Sequence, residues 1–405
     1  MKGFIIYPSY KNMGGKSHVA LYGRLENGES FVALKPHTPH FIIREKDIKK
    51  LKNANFEDTN LKNFKGEPVK KIIFSNPFEL NEVRNSIKED IETYEADVKY
   101  PYRYLMDKKI QMAINIEGDY EINQGNVDRV YFDPEITPAT YTPNNLKVLS
   151  IDIETSSDGK ELYCIGIYTK DNKKILLKSN KSVKGAKSFK TEQELLEEFK
   201  ELILEIDPDI ITGWNLIDFD LKIIRDKFKK NNIAFNLNRD NSTSKLRIEK
   251  DFFRASKADF EGRVVLDGIE LTKTSFIKVD NYKLNTVAKK VLKKSKLIQT
   301  VGSEKYSEID YLYKKDLSKL VEYNLMDCIL VYELLHKGKL LDLTTQRSLI
   351  TGMPLDRVSA SIASLDSLYI PLARDKLLVC PTSRFRQKET PIKGGYVMES
   401  KPGIY

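Results

Sequence analysis

The chain has 405 residues, 40% hydrophobic and 31% charged, with 67 Lys and Arg against 58 Asp and Glu for a formal charge of +9. That composition belongs to a soluble globular protein of two or three domains. No apolar run approaches the roughly 20 residues of a membrane span, and the N-terminal MKGFIIYPSYKNMGG lacks the apolar core of a secretory signal.

Three cysteines (Cys164, Cys328, Cys380) and four histidines (His18, His37, His40, His336) are scattered, none at zinc-site spacing. A disulfide framework is therefore not expected, and a reducing, cytoplasmic compartment is. The positive balance is compatible with a polyanionic partner without establishing one.

Residues 1 to about 130 read as a strand-rich domain with a helical insert. GFIIYPSY, SHVALYGRL and ESFVALKP alternate apolar and polar residues, and GRLENGES carries an Asn-Gly hairpin signal. FELNEVRNSIKEDI has helical period, and IETYEADV returns to strand. The proline-punctuated stretch 131–146 reads as a linker. From Lys147 to about residue 340 strands and helices alternate. KVLSIDIET, LYCIGIYT and KKILLKS are short strands; TEQELLEEFKELILEI and DFDLKIIRDKFKKN are amphipathic helices around the buried strand PDIITGW. GRVVLDG is a further strand, followed by the helix YKLNTVAKKVLKK and one long helix from about Lys314 to Leu340. This order predicts an α/β domain, a mixed sheet flanked by helices. Residues 341–405 begin helical and become loop-like.

Asp152 and Glu154 stand two apart on a strand, so both side chains leave one face. Asp220 lies just past another buried strand in ITGWNLIDFD, and Asp327 lies on the long helix with Tyr323 one turn earlier. Four converging acids repel one another unless cations compensate them. Two divalent ions about 4 Å apart would do so, as in phosphodiester-cleaving sites. Oxygen-only donors favour Mg²⁺ or Mn²⁺. Each residue singly has an ordinary reading too: a surface acid pair, a helix-capping Asp, a core tyrosine, a helix-surface acid.

Three of these segments, DIET, NLIDFD (N-x-x-x-F-D) and YNLMD (Y-x-x-x-D), resemble the exonuclease motifs of family B DNA polymerases. YEADVKYPYRYLMDK, ELYCIGIY, DPDIITGWN, GRVVLDGIE and GGYVMESKPGIY extend the resemblance, in particular to the bacterial DNA polymerase II branch. It implies a 3′→5′ proofreading exonuclease on a ribonuclease H-like fold over 147–340, preceded by an N-terminal domain (1–130) and followed by the start of a polymerase region (341–405). In that family Asp152 and Glu154 would hold the metals, Asp152 bridging both; Asp220 would serve the second and Asp327 the first. Tyr323 would orient the attacking water. Asn215 and Phe219 would seat the terminal nucleotide, and Thr155 would touch its sugar or backbone. A mispaired primer end, cheaper to unpair, reaches such a single-strand pocket more often, where Arg239, Lys245 and Arg247 are further candidate contacts.

Lys393, Gly394, Gly395 and Tyr396 match the family's template-touching segment between its two active sites. The family's nucleotidyl-transfer motifs, D-x-x-S-L-Y-P-S and an Asp-Thr-Asp turn, do not occur. The expectation is therefore the exonuclease portion of a DNA polymerase II-like enzyme, working on a DNA primer 3′ end. The polymerase portion would be a separate chain or missing, and the clamp-binding peptide, C-terminal in the family, would lie beyond Tyr405. A free-standing exonuclease and a non-catalytic DNA-binding module remain the alternatives. Tyr7, Pro39 and His40 fall near where archaeal relatives read template uracil.

Overall fold

The alternation in GFIIYPSY and SHVALYGRL forms two antiparallel strands, Lys2–Met13 and Lys16–Leu25. They turn at Gly14 and Gly15, both at positive φ (55° and 73°), where a side chain would be strained. The protein is seen here as a computed structural model, which describes residues 1–51, 54–122, 125–249, 256–295 and 303–383, together with Gly403. Those two strands sit inside a seven-stranded sheet whose other members are Glu135–Pro138, Ala113–Glu117, Ser30–Pro36, Arg129–Phe132 and Tyr120–Ile122. The 131–146 stretch thus supplies the end of one strand and all of an edge strand to this sheet. Beside it lies a four-stranded sheet (Asn55–Glu57, Val69–Ile73, His40–Arg44, Thr93–Tyr94). Helix Pro77–Ile87 accompanies it, started by Pro77 and by the Asn76 side chain, which accepts from the Phe78 and Glu79 N–H groups.

The second half of the chain builds a six-stranded mixed sheet in the order Lys187–Phe189, Lys173–Lys178, Leu162–Tyr168, Val148–Thr155, Ile210–Gly213, Val264–Asp267. Val148–Thr155 is its pivot, antiparallel to Leu162–Tyr168 and parallel to Ile210–Gly213. On one face Leu149, Ile151 and Ile153 pack with Phe199 and Ile203 of helix Glu192–Ile206 and with Ile224 and Phe228 of helix Asp220–Lys230. A reciprocal Thr191–Glu194 capping box starts the first of these helices. Against the other face lies helix Leu317–His336, through Leu320, Val321 and Tyr323.

The single helix expected over 314–340 is two helices, Ser303–Lys315 and Leu317–His336. Asp316 takes a non-helical conformation (φ −146°, ψ 74°) and caps the second through the Lys319 N–H. A local side-chain cap breaks the backbone where apolar spacing gives no sign of it. Among the described residues no helix is long and apolar enough to cross a membrane.

Candidate active site

Strand alternation sends Asp152 and Glu154 to the face of Val148–Thr155 opposite Leu149, Ile151 and Ile153. There they meet helix Leu317–His336. Oxygens of Asp152, Glu154 and Asp327 lie within 4.8 Å of one another. Asn324, one turn before Cys328 on the same helix, donates from Nδ2 to Asp152 Oδ2 at 2.8 Å.

This approach depends on Gly166, which pairs with Asp152 across the sheet. A Cβ at that position would stand 2.4 Å from Asn324 Oδ1 and 2.7 Å from Cys328 Sγ. The missing side chain lets the helix settle onto the strand pair at the height of the acids.

Tyr323 is buried, and its hydroxyl donates to the Asp327 carboxylate. Burial pushes the phenol far above its ordinary range, and the charges of Asp327, Glu154 and Asp152 push the same way. It is a neutral hydroxyl at any working pH.

Asp220 begins helix Asp220–Lys230, just past strand Ile210–Gly213. That strand pairs with Val148–Thr155 only as far as Ser150, so the Ile153 N–H is left to Asp220 Oδ1, which accepts it at 3.0 Å. Burial holds the Asp220 carboxyl well above the usual carboxylate range; the Ile153 N–H opposes this, while Asp267 and Glu154 add to it. Of the four acids expected to converge, Asp220 is thus not among the three whose oxygens meet within 4.8 Å; it feels the charge of Glu154 and commits one oxygen to the central strand.

A donor set of three carboxylates in this space suits a small, hard divalent cation better than zinc. Acidic neighbours on Tyr323 and Asp220 point to the same demand for positive charge.

Around this centre, Thr155 is buried at a bulge after Glu154 and donates to the Ser156 carbonyl at 3.2 Å. Asn215 is exposed in the left-handed region (φ 64°), and its carbonyl accepts the Phe219 N–H at 3.1 Å. Phe219 is half-buried against the core shared by Leu216 and Leu221. Lys245 and Arg247 are exposed, Arg247 paired with Glu249 at 2.9 Å.

Arg239, a candidate surface contact from its charged loop, is instead buried and bonded to Asp207 and Asp209. The buried Asp209 and the half-buried Asp207 on one turn drew it inward, a pairing between distant segments that the loop composition does not display. Lys393, Gly394, Gly395 and Tyr396 lie outside the described residues.

Two site residues escape the motif reading. Asp267 ends strand Val264–Asp267, bonds its own helix start through the Ile269 N–H, and acts on Asp220. Its signal, an Asp closing the buried run GRVVLD, is the one that marks Asp220. Asn324 has a weaker signal: a polar residue inside VEYNLMDCILV, three positions before Asp327.

Residues 91–287 match the family model for the DNA polymerase family B, exonuclease domain. The match takes in Asp152, Glu154, Asp220 and Asp267 and stops short of Tyr323 and Asp327, which the fold returns to the first two. DNA polymerase II of Escherichia coli (strain K12) is 30% identical over 418 residues, spanning 100% of this chain and 52% of that protein. A DNA polymerase of Archaeoglobus fulgidus is 26% identical over 431 residues, spanning 100% of this chain and 51% of that one. The chain thus spans about half the length of these curated relatives. In structure it shares the fold of the family B DNA polymerase from the hyperthermophilic archaeon Pyrobaculum calidifontis. That match has a TM-score of 0.76 at 20% identity, over 100% of this chain and 54% of that one.

Proposed function

We propose, from the match of residues 91–287 to the family B DNA polymerase exonuclease model, that the chain hydrolyses the terminal phosphodiester of a DNA 3′ end as the proofreading part of a DNA polymerase II-like enzyme. The observation that carries this reading is the convergence of Asp152, Glu154 and Asp327, brought from a strand and a helix to within 4.8 Å. Asp152, Glu154, Asp327 and, from the adjoining helix start, Asp220 would hold two Mg²⁺ or Mn²⁺ ions. Such ions supply a lowered water pKa and charge stabilisation at the departing 3′ oxygen.

The chain's own residues do the positioning. Asn324 fixes the Asp152 carboxylate through its 2.8 Å bond, so that ligand does not have to be ordered when substrate arrives. Tyr323, a neutral phenol whose one O–H is given to Asp327, holds the attacking water by accepting a hydrogen bond from it. Asn215 offers an exposed amide for the terminal nucleotide, and Phe219 an apolar edge half open to solvent. Thr155 contacts the sugar or backbone, and Lys393, Gly394, Gly395 and Tyr396 touch the template strand. A frayed, mispaired end enters more often because unpairing it costs less.

On this reading 147–340 is the exonuclease unit, 1–130 the N-terminal domain and 341–405 the beginning of the polymerase region. The polymerase portion and a sliding clamp are its protein partners, in the cytoplasm. A 3′-labelled single-stranded oligonucleotide, incubated with Mg²⁺ or with chelator, tests it directly. Release of the labelled terminal nucleotide is expected with Mg²⁺ alone and is lost in Asp152→Ala; a variant that still releases the label overturns the assignment.

A further inference from the structure

Away from the acidic site, His37 lies in the loop between strands Ser30–Pro36 and His40–Arg44 and His40 opens the second strand, and both rings face the end of helix Tyr100–Asp107. His40 Nε2 is 3.7 Å and His37 Nε2 3.9 Å from Asp107 Oδ2. These separations are too long for hydrogen bonds. Both Nε2 atoms are buried and have no hydrogen-bond partner, although the His40 residue is only 9% exposed. Buried polar atoms are almost always satisfied, so two orphans aimed at one carboxylate call for a missing occupant.

The surroundings prepare those nitrogens for one. His40 Nδ1 lies 3.1 Å from the Thr38 carbonyl, which can only accept. Nδ1 is therefore the protonated nitrogen, and the Nε2 lone pair faces Asp107, the arrangement that orients metal-binding imidazoles. The His37 ring is held between Tyr100, stacked at 5.6 Å, and Tyr104, edge-on at 5.4 Å. Its backbone is pinned as well: its N–H donates to the Ser17 carbonyl at 3.2 Å, and its carbonyl accepts from the Tyr100 hydroxyl at 2.5 Å.

We propose that His37, His40 and Asp107 form a metal site for a zinc-like transition dication, separate from the carboxylate centre. The three ligand atoms lie within 4.8 Å of one another. Tetrahedral zinc with bonds of about 2.0–2.1 Å spaces its ligands roughly 3.3–3.4 Å apart, so a small side-chain contraction around the ion completes the set. Two imidazoles and one carboxylate select zinc, cobalt or nickel over magnesium. Three protein ligands leave a coordination position open, and the adjoining cavity, about 630 Å³, is also lined by Lys16, Lys71 and Lys108. Those ammonium groups, with Arg103 3.7 Å from Asp107 Oδ1, favour an anion or water as the remaining ligand over a fourth protein donor.

Cobalt titration of the metal-free protein, followed by its visible d–d absorption and by displacement with Zn²⁺, reads this site without any nuclease assay. A single saturable cobalt band is expected, unchanged in Asp152→Asn and in the control His18→Asn. It should be lost in the His37→Asn/His40→Asn double variant. In Asp107→Asn the binding should fall by more than the roughly 10–100-fold that outer-shell changes cost. Circular dichroism identifies a variant that fails to fold. In that case the half-buried His37→Asn alone, with X-ray absorption for imidazole ligation in the unaltered protein, decides. Absence of saturable binding, or binding indifferent to His37 and Asp107, overturns the proposal.

Discussion

Strand Ile210–Gly213 is bracketed by two buried aspartates, Asp209 at its entry and Asp220 beyond its exit, which the protein treats in opposite ways. Asp209 is met by guanidinium groups: Arg24 Nε at 2.9 Å from Oδ2, Arg24 Nη2 at 2.8 Å and Arg239 Nη2 at 2.6 Å from Oδ1. Burial alone would raise its carboxyl, but Arg239 and Arg24 outweigh that and hold it below the usual range. Because Arg24 comes from strand Lys16–Leu25, the same cluster fastens the seven-stranded sheet to the six-stranded one. Asp220 is pushed the other way, by burial first and then by Asp267 and Glu154. One end of the strand carries acids compensated from within the chain; the other gathers acids that call for a cation from outside. In open sheets ligands collect at the carboxyl ends of parallel strands, and this division follows that rule.

The comparison predicts that acids at the two ends fail differently. Asp152→Ala should lower the single-turnover rate of 3′-end degradation about 10³-fold or more while leaving the thermal midpoint unchanged or higher, since one member of a repelling set is gone. Asp209→Ala should do the reverse. Removing one partner of a buried ion pair costs about 3–5 kcal/mol, read by denaturant titration, with the rate per folded molecule unaltered. If Asp209→Ala abolished hydrolysis in folded protein, the two ends would not be separable.

Smaller changes sharpen the same contrast. Tyr323→Phe keeps the ring and removes the hydroxyl beside Asp327. The rate should fall about 10²-fold, with Mn²⁺ affinity nearly constant in a paramagnetic titration; a collapse in metal affinity would make the tyrosine a ligand support instead.

Acidification should also divide the two ends. Asp207, beside Asp209, is opposed by burial but brought down to about 2 chiefly by Arg239 and Arg263. Its folded pKa lies below its unfolded value, so its contribution, about 2 kcal/mol, is present above pH 3.8 and lost as the pH falls towards 2. Asp220 has its folded pKa raised, so in metal-free protein it costs stability above its unfolded pKa, and protonation relieves that cost. Accordingly Asp220→Asn should stabilise the metal-free protein at neutral pH, the gain vanishing in acid. Thermal melts across pH check both signs, and a destabilised Asp220→Asn at neutral pH would break the contrast.

Much of this was legible before any coordinates. Two acids spaced by two on an apolar strand, and acids closing other apolar runs, stand out because a buried carboxylate is an exception wherever it occurs. Helices Glu192–Ile206 and Asp220–Lys230 announce themselves by period, and the hairpin turns by their glycines. Asn324 did not stand out, because a polar residue on a helix is ordinary until a carboxylate is found 2.8 Å away. Arg239 misled for the complementary reason: its loop is charged, yet the acids that bury it lie in another turn.

Periodicity, turn chemistry and the identity of the acids are properties of short windows of chain, and those windows are enough to mark strands, helices and the candidate nuclease residues. Which charge answers which is a different matter. Compensation depends on separations of a few ångströms between residues far apart along the chain, and on how much water the packing removes from each. Only folding could decide that Asp209 finds Arg24, that Asp327 returns to Asp152 across the gap left by Gly166, and that His37 and His40 share one carboxylate at the end of a helix.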